Sequence, residues 1–221
     1  MQSKLLIGTV LLALGLSSAS AITMVAGINF DDNAFADSVI SSSGIYAAVT
    51  SSATYNPASA AQLQAAVTGS SVTKYAIAIP PTGGTVAGAN IKLGFTDNYL
   101  VNGDGNDLAL FELGTPSTFA VTIGVTTINY SSVHTFFTTV INGETTPINM
   151  VQIDLSLFGV APNTQLSNIL IGMGIGSSVP SLTVVGALHS APVNQSVPDA
   201  GSTISMLGAA FVGLGLLKRK F

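Results

Sequence analysis

Oxygen donors crowd the stretch "TDNYLVNGDGNDLALFE", where Asp97, Asn98, Asn102, Asp104, Asn106, Asp107 and Glu112 follow one another closely. Such chemistry suits Ca2+, a hard cation that takes six to eight oxygens from carboxylates, amides and carbonyls on flexible loops. The candidate ligands are Asp97, Asn102, Asp104, Asn106, Asp107 and Glu112. Asn102 to Asp107 imitates one nonapeptide of the calcium β-roll, with Asn at the first glycine place and Ala109 at the large apolar one. A single copy has no neighbour on which to stack. The EF-hand spacing and its bidentate glutamate are missing as well. The competing reading is a solvated turn, because Asn, Asp and Gly accept left-handed dihedrals and bond their own backbone.

A second acidic group, Asp31, Asp32 and Asp37, lies in "INFDDNAFAD". It either joins the first group in space or solubilises the end of a strand. Glycoside hydrolysis would need two carboxylates about 5 or 9 Å apart, and a chain without Trp offers no obvious aromatic platform beside them. His134 and His189 are the only imidazoles. Neither belongs to a His-Glu-x-x-His motif, and no Gly-x-Ser-x-Gly elbow occurs. With no cysteine, thiolate nucleophiles, disulfides and Cys-ligated zinc are excluded. No residue is assigned a catalytic role, and the expected protein is not an enzyme.

The elements that position these groups read as strands. "TMVAGINF", "KYAIAI", "NIKLGF", "DLALFEL", "TFAVTIGVTTINY", "VHTFFTTVI", "INMVQIDLSLF", "NILIGMGI" and "SLTVVGAL" are rich in Val, Ile, Thr, Phe and Tyr, and turn residues bound most of them. "DLALFEL" and "NILIGMGI" are apolar on both faces, which predicts strands covered on each side. One helix is expected over "ASAAQLQAAV", with Asn56 as cap, Pro57 at the first helical position and Gly69 just past the end. Its low polarity predicts packing on the rim of the sheets. Many strands and one helix predict an all-β fold, an antiparallel, jelly-roll-like β-sandwich over residues 22–190.

Composition supports an exported protein. Only 7% of the 221 residues are charged, far below the usual quarter. All ten acids fall between Asp31 and Asp199, opposed there only by Lys74 and Lys92. Such a body does not neutralise phosphates, so nucleic acid is disfavoured as a partner. At the front, Lys4, the apolar run Leu5–Leu16 and the small residues Ala19 and Ala21 have the order of a signal peptide over residues 1–21, cut by signal peptidase. At the back, the apolar run 204–217 spans roughly 21 Å as a helix, less than the ~30 Å hydrocarbon core. The tip Lys218-Arg219-Lys220 stays cytoplasmic by the positive-inside rule. The expectation is a short transmembrane segment that holds the chain transiently, joined to the body by a spacer over residues 191–196.

Val197, Pro198, Asp199, Ala200 and Gly201, then the apolar run and the basic tip, resemble the VPDSG variety of PEP-CTERM sorting tails, with Ala200 at the place of the name-giving Ser. The resemblance implies a substrate of exosortases, membrane enzymes of Gram-negative bacteria that make exopolysaccharide. The expected address is the cell surface or the extracellular matrix, with exopolysaccharide as a candidate partner. More weakly, Phe95, Asp97, Asn98, Asp107, Leu108, Phe111 and Glu112 resemble a segment of secreted bacterial β-sandwich proteins that often carry such tails. "PSLTVVGALHS" is similar to the closing strand of that group, with Thr183 and Val184 where acids are common. The leading expectation is a non-enzymatic surface or matrix protein; the alternatives are a carbohydrate- or calcium-binding module and a glycan hydrolase.

Overall fold

The structure, a computed structural model, describes residues 21–81, 85–175 and 178–193. It is all-β with one helix, and its antiparallel sheets curve into a half-barrel. In chain order the strands begin with β1 (Ile22–Val25), β2 (Ile28–Asp31), β3 (Ser38–Ser43), β4 (Ile45–Val49) and β5 (Thr54–Tyr55). Helix α1 (Ala60–Val67) follows, then β6 (Tyr75–Ile79), β7 (Asn90–Gly94), β8 (Asn98–Val101), β9 (Leu108–Leu113) and β10 (Thr118–Ile123). The rest are β11 (Thr126–Ser131), β12 (Val133–Ile141), β13 (Glu144–Ile153), β14 (Gln165–Leu166), β15 (Asn168–Gly172), β16 (Ser181–Ala187) and β17 (Ser190–Pro192).

One sheet runs β12-β13-β9-β16-β6-β4-β5 and another β11-β10-β15-β7-β3. Two smaller sheets are β14-β8-β17 and β1-β2. Buried residues of both large sheets, Leu108, Leu110 and Val185 from one and Ile91, Leu93, Val121 and Ile171 from the other, belong to a single core cluster. Tyr46 ties the two sheets together, its hydroxyl 2.8 Å from the carbonyls of Ser43 and Asn90. Burial pushes that phenol well above its ordinary pKa.

β9 is buried along its whole length between β13 and β16, as its unbroken apolar pattern predicts. β15 departs from the expectation. It alternates, with Asn168, Leu170 and Gly172 half-buried, because its sheet is covered on one face only at these positions. "TMVAGINF" is also not one strand. Ala26 and Gly27 both take positive φ, 45° and 83°, and fold it into the β1–β2 hairpin. The β12–β13 hairpin uses Asn142-Gly143 in the same way, at 52° and 85°.

The helix begins three residues later than its proline suggests. Ser59, not Asn56, is the cap: its hydroxyl accepts from the Gln62 N–H and the Gln62 side chain returns a bond to the Ser59 N–H, 2.8 Å away. The Ala58 N–H is already committed to the Tyr46 carbonyl, which holds the segment before Ser59 against β4. Leu63, Ala66 and Val67 then pack against β3, β4, β6 and β16, a broader seat than a sheet rim. Among the described residues no helix is long and apolar enough to cross a membrane. The expected signal peptide, up to residue 20, and the expected transmembrane segment 204–217 lie outside the described residues.

Candidate functional site

The two acidic stretches of the sequence are redistributed by the fold. Asp107 lies just before β9 and is fully buried. Its Oδ1 accepts from the Gly103 N–H at 2.6 Å and from His189 Nδ1 at 2.8 Å, and its Oδ2 accepts from the Leu155 N–H at 2.8 Å. One carboxylate thus joins the loop before β9, the 3-10 turn Leu155–Phe158 and the end of β16. Gly103 is needed where it stands, since a Cβ there would lie 2.5 Å from His189 Nδ1. His189 keeps 41% of its side chain exposed.

Asn102 is buried and gives its amide to the Val160 carbonyl at 2.7 Å, pinning the loop that precedes β14. Asn106 is exposed and bonds Gln152 at 3.2 Å, while Asp104 is exposed at the loop tip. Glu112 sits at the far end of β9, five residues and roughly 17 Å from Asp107 at the rise of a strand. It is fully buried, and one oxygen accepts from the Ser117 N–H at 2.5 Å and from the Ser132 hydroxyl. Its other oxygen has no hydrogen-bond partner. Burial raises the Glu112 pKa, against the lowering effect of these bonds. Asn149, directly across the ladder from Glu112, is also fully buried and donates to the Gly114 carbonyl at 2.8 Å.

Asn102, Asp107 and Glu112 therefore spend their side chains on different parts of the scaffold, and the six proposed ligands do not meet. Among the described residues no three acidic or imidazole side chains close on one metal-sized point. Thr183 and Val184 are buried in β16, where a bulge opposes Glu112 and Phe111. The Thr183 hydroxyl donates to the Lys74 carbonyl at 2.5 Å.

Asp97 leaves the loop group and joins the other one. It lines a cavity of about 400 Å³ with Asp31, Asp32, Asn33, Asn98 and Ser190. Asp31 ends β2, Asp32 and Asn33 form the turn after it, and Asp97 and Asn98 turn β7 into β8. Asp37 braces that turn: its Oδ2 accepts from the N–H groups of Thr96, at 2.7 Å, and Asp97, at 3.2 Å. Burial works to raise the Asp37 pKa, but these bonds outweigh it and the carboxyl lies below the ordinary range. Asp97 is shifted the other way, first by burial and then by its hydrogen bond with and the charge of Asp37. β17 pairs with β8, setting Pro192 opposite Asn98. β17 is the last described strand before the C-terminal tail.

That tail decides the address. Residues 196–221 match the VPDSG-CTERM motif. This chain ends in a PEP-CTERM-type sorting signal. The VPDSG-CTERM tail implies an exported, cell-surface-associated protein, processed by an exosortase-like enzyme. Val197, Pro198, Asp199, Ala200 and Gly201 fall inside the match and outside the described residues, as does Ala19. Comparison with curated proteins found no match, and comparison with solved structures found none.

Proposed function

We propose that this chain is a non-enzymatic component of the cell surface or exopolysaccharide matrix, built on a jelly-roll-like β-sandwich and delivered through its VPDSG-CTERM tail. Signal peptidase removes residues 1–21. The segment 204–217 then holds the precursor in the inner membrane, too short to be a lasting anchor, until the exosortase-like enzyme acts at or beside Val197–Gly201. The observation that carries this reading is the tail match over residues 196–221.

Two features of the body support the non-enzymatic part. The buried carboxylates Asp107 and Glu112 are each bound into the scaffold. They also stand roughly 17 Å apart along β9, beyond the separation that either glycosidase geometry uses. The acidic body favours neutral glycans over anionic polymers as neighbours in a matrix.

Intact-mass analysis of the protein recovered from the envelope and matrix tests the reading. The expected species begins near Ile22 and has lost the residues beyond the Val197–Gly201 motif. Material that keeps Phe221 and stays in the inner membrane would overturn it.

A further inference from the structure

Among the described residues, three buried side-chain atoms at the β7–β8 turn and the β3 strand paired beside it have no hydrogen-bond partner: Ser38 Oγ and both amide atoms of Asn98. Buried polar groups are otherwise paired almost without exception, because an orphan forfeits its hydration. Asn98 is the most telling. It is only 3% exposed, neither end of its amide is bonded, and it lines the acidic cavity.

We propose that this cavity is a Ca2+ site, formed by Asp97 and the Asn98 carbonyl oxygen on the β7–β8 turn and by Asp31 and Asp32 across from them. The donor set is oxygen only, carboxylate and amide, which suits a hard cation. Three carboxylates around a cavity of about 400 Å³, without three of them closing on one point, hold a partly hydrated ion with few direct ligands. Sites of that kind have Kd values of roughly 10⁻⁴–10⁻³ M, the range of extracellular modules. Among the described residues no basic side chain lines the cavity. Asp37 is a positioning residue: it holds the turn through the N–H groups of Thr96 and Asp97.

The ion would tie the end of the β1–β2 hairpin to the β7–β8 turn, on which β17 is already paired. Because β17 leads into the tail, the ion fastens the strand through which the domain is held. The inference goes beyond sorting and stands or falls independently of it.

The test is calorimetric titration with CaCl2, and melting with CaCl2 or EDTA, on the protein purified from its own cells in whatever processed form it takes. One Ca2+ is expected per chain, with a melting point about 3–6 °C higher at 10 mM Ca2+. Asp97→Asn and Asp32→Asn should each weaken binding at least tenfold. Asp104→Asn, in the exposed loop, should leave it unchanged. If Asp97→Asn does not fold, Asp32→Asn, an exposed position, carries the test alone. Absence of saturable binding up to 10 mM would overturn the proposal. So would loss of binding in Asp104→Asn with retention in Asp32→Asn, or an equal rise in melting point with NaCl of the same ionic strength.

Discussion

At the scale of single residues, identical carboxylates do different work because their surroundings differ. Asp107 is surrounded by donors, and both of its oxygens accept hydrogen bonds where it is buried. Glu112 has donors on one oxygen only, and burial raises its pKa above the ordinary 4.5. The folded protein thus holds a proton on Glu112 that the unfolded chain has released, over the window between the two pKa values. Stability falls as pH rises through that window. Glu112→Gln keeps the acceptor for Ser117 and Ser132 and has no proton to lose. Urea melts of both proteins should therefore show the wild type losing ground to Glu112→Gln as the pH climbs from about 4.5 upward. A difference that does not vary with pH would remove Glu112 as the source.

At the scale of elements, boundaries were less legible than identities. Enrichment in Val, Ile, Thr, Phe and Tyr marked β6, β7, β9, β10 and β13, whereas β3, with Ser at four of six positions, carried no such signal. It is recruited as an edge strand by pairing with β7, with a bulge between Val39 and Ser41. Asn56 and Ser59 are both competent caps, and local chemistry alone does not choose between them. The bond from the Ala58 N–H to the Tyr46 carbonyl does, by fixing the approach to the helix. Ser59→Ala should cost about 1 kcal/mol of stability, while Asn56→Ala should stay within roughly 0.5 kcal/mol. Chemical unfolding midpoints check both, and the opposite ranking would restore Asn56 as the cap.

At the scale of the whole molecule, body and tail have separable tasks. The described domain gathers its core from both large sheets. A chain ended after Ser196 should melt within about 1 °C of the processed protein, from which it differs by at most the few residues of the sorting motif. Fractionation should find it released into the periplasm or medium instead of at the surface. A large fall in melting point would mean that the tail is part of the fold.

Sequence by itself determined the C-terminal end and the centre of this protein. The tail is read from order along the chain, motif then apolar run then basic tip, and needs no folding to be recognised. The burial of β9 is likewise local, since a strand apolar on both faces has only one stable place. Which acids meet was decided by tertiary structure alone. Asp97 is adjacent in sequence to the Asn102–Asp107 loop, yet β8 carries that loop to the far end of its strand, where Asp107 is used up by Gly103, Leu155 and His189. Strand pairing between β3 and β7 instead brings Asp37 to the turn that holds Asp97, across some sixty residues of chain. Charge acts through space, and the partners it finds are set by ladder register, which no local pattern of residues encodes.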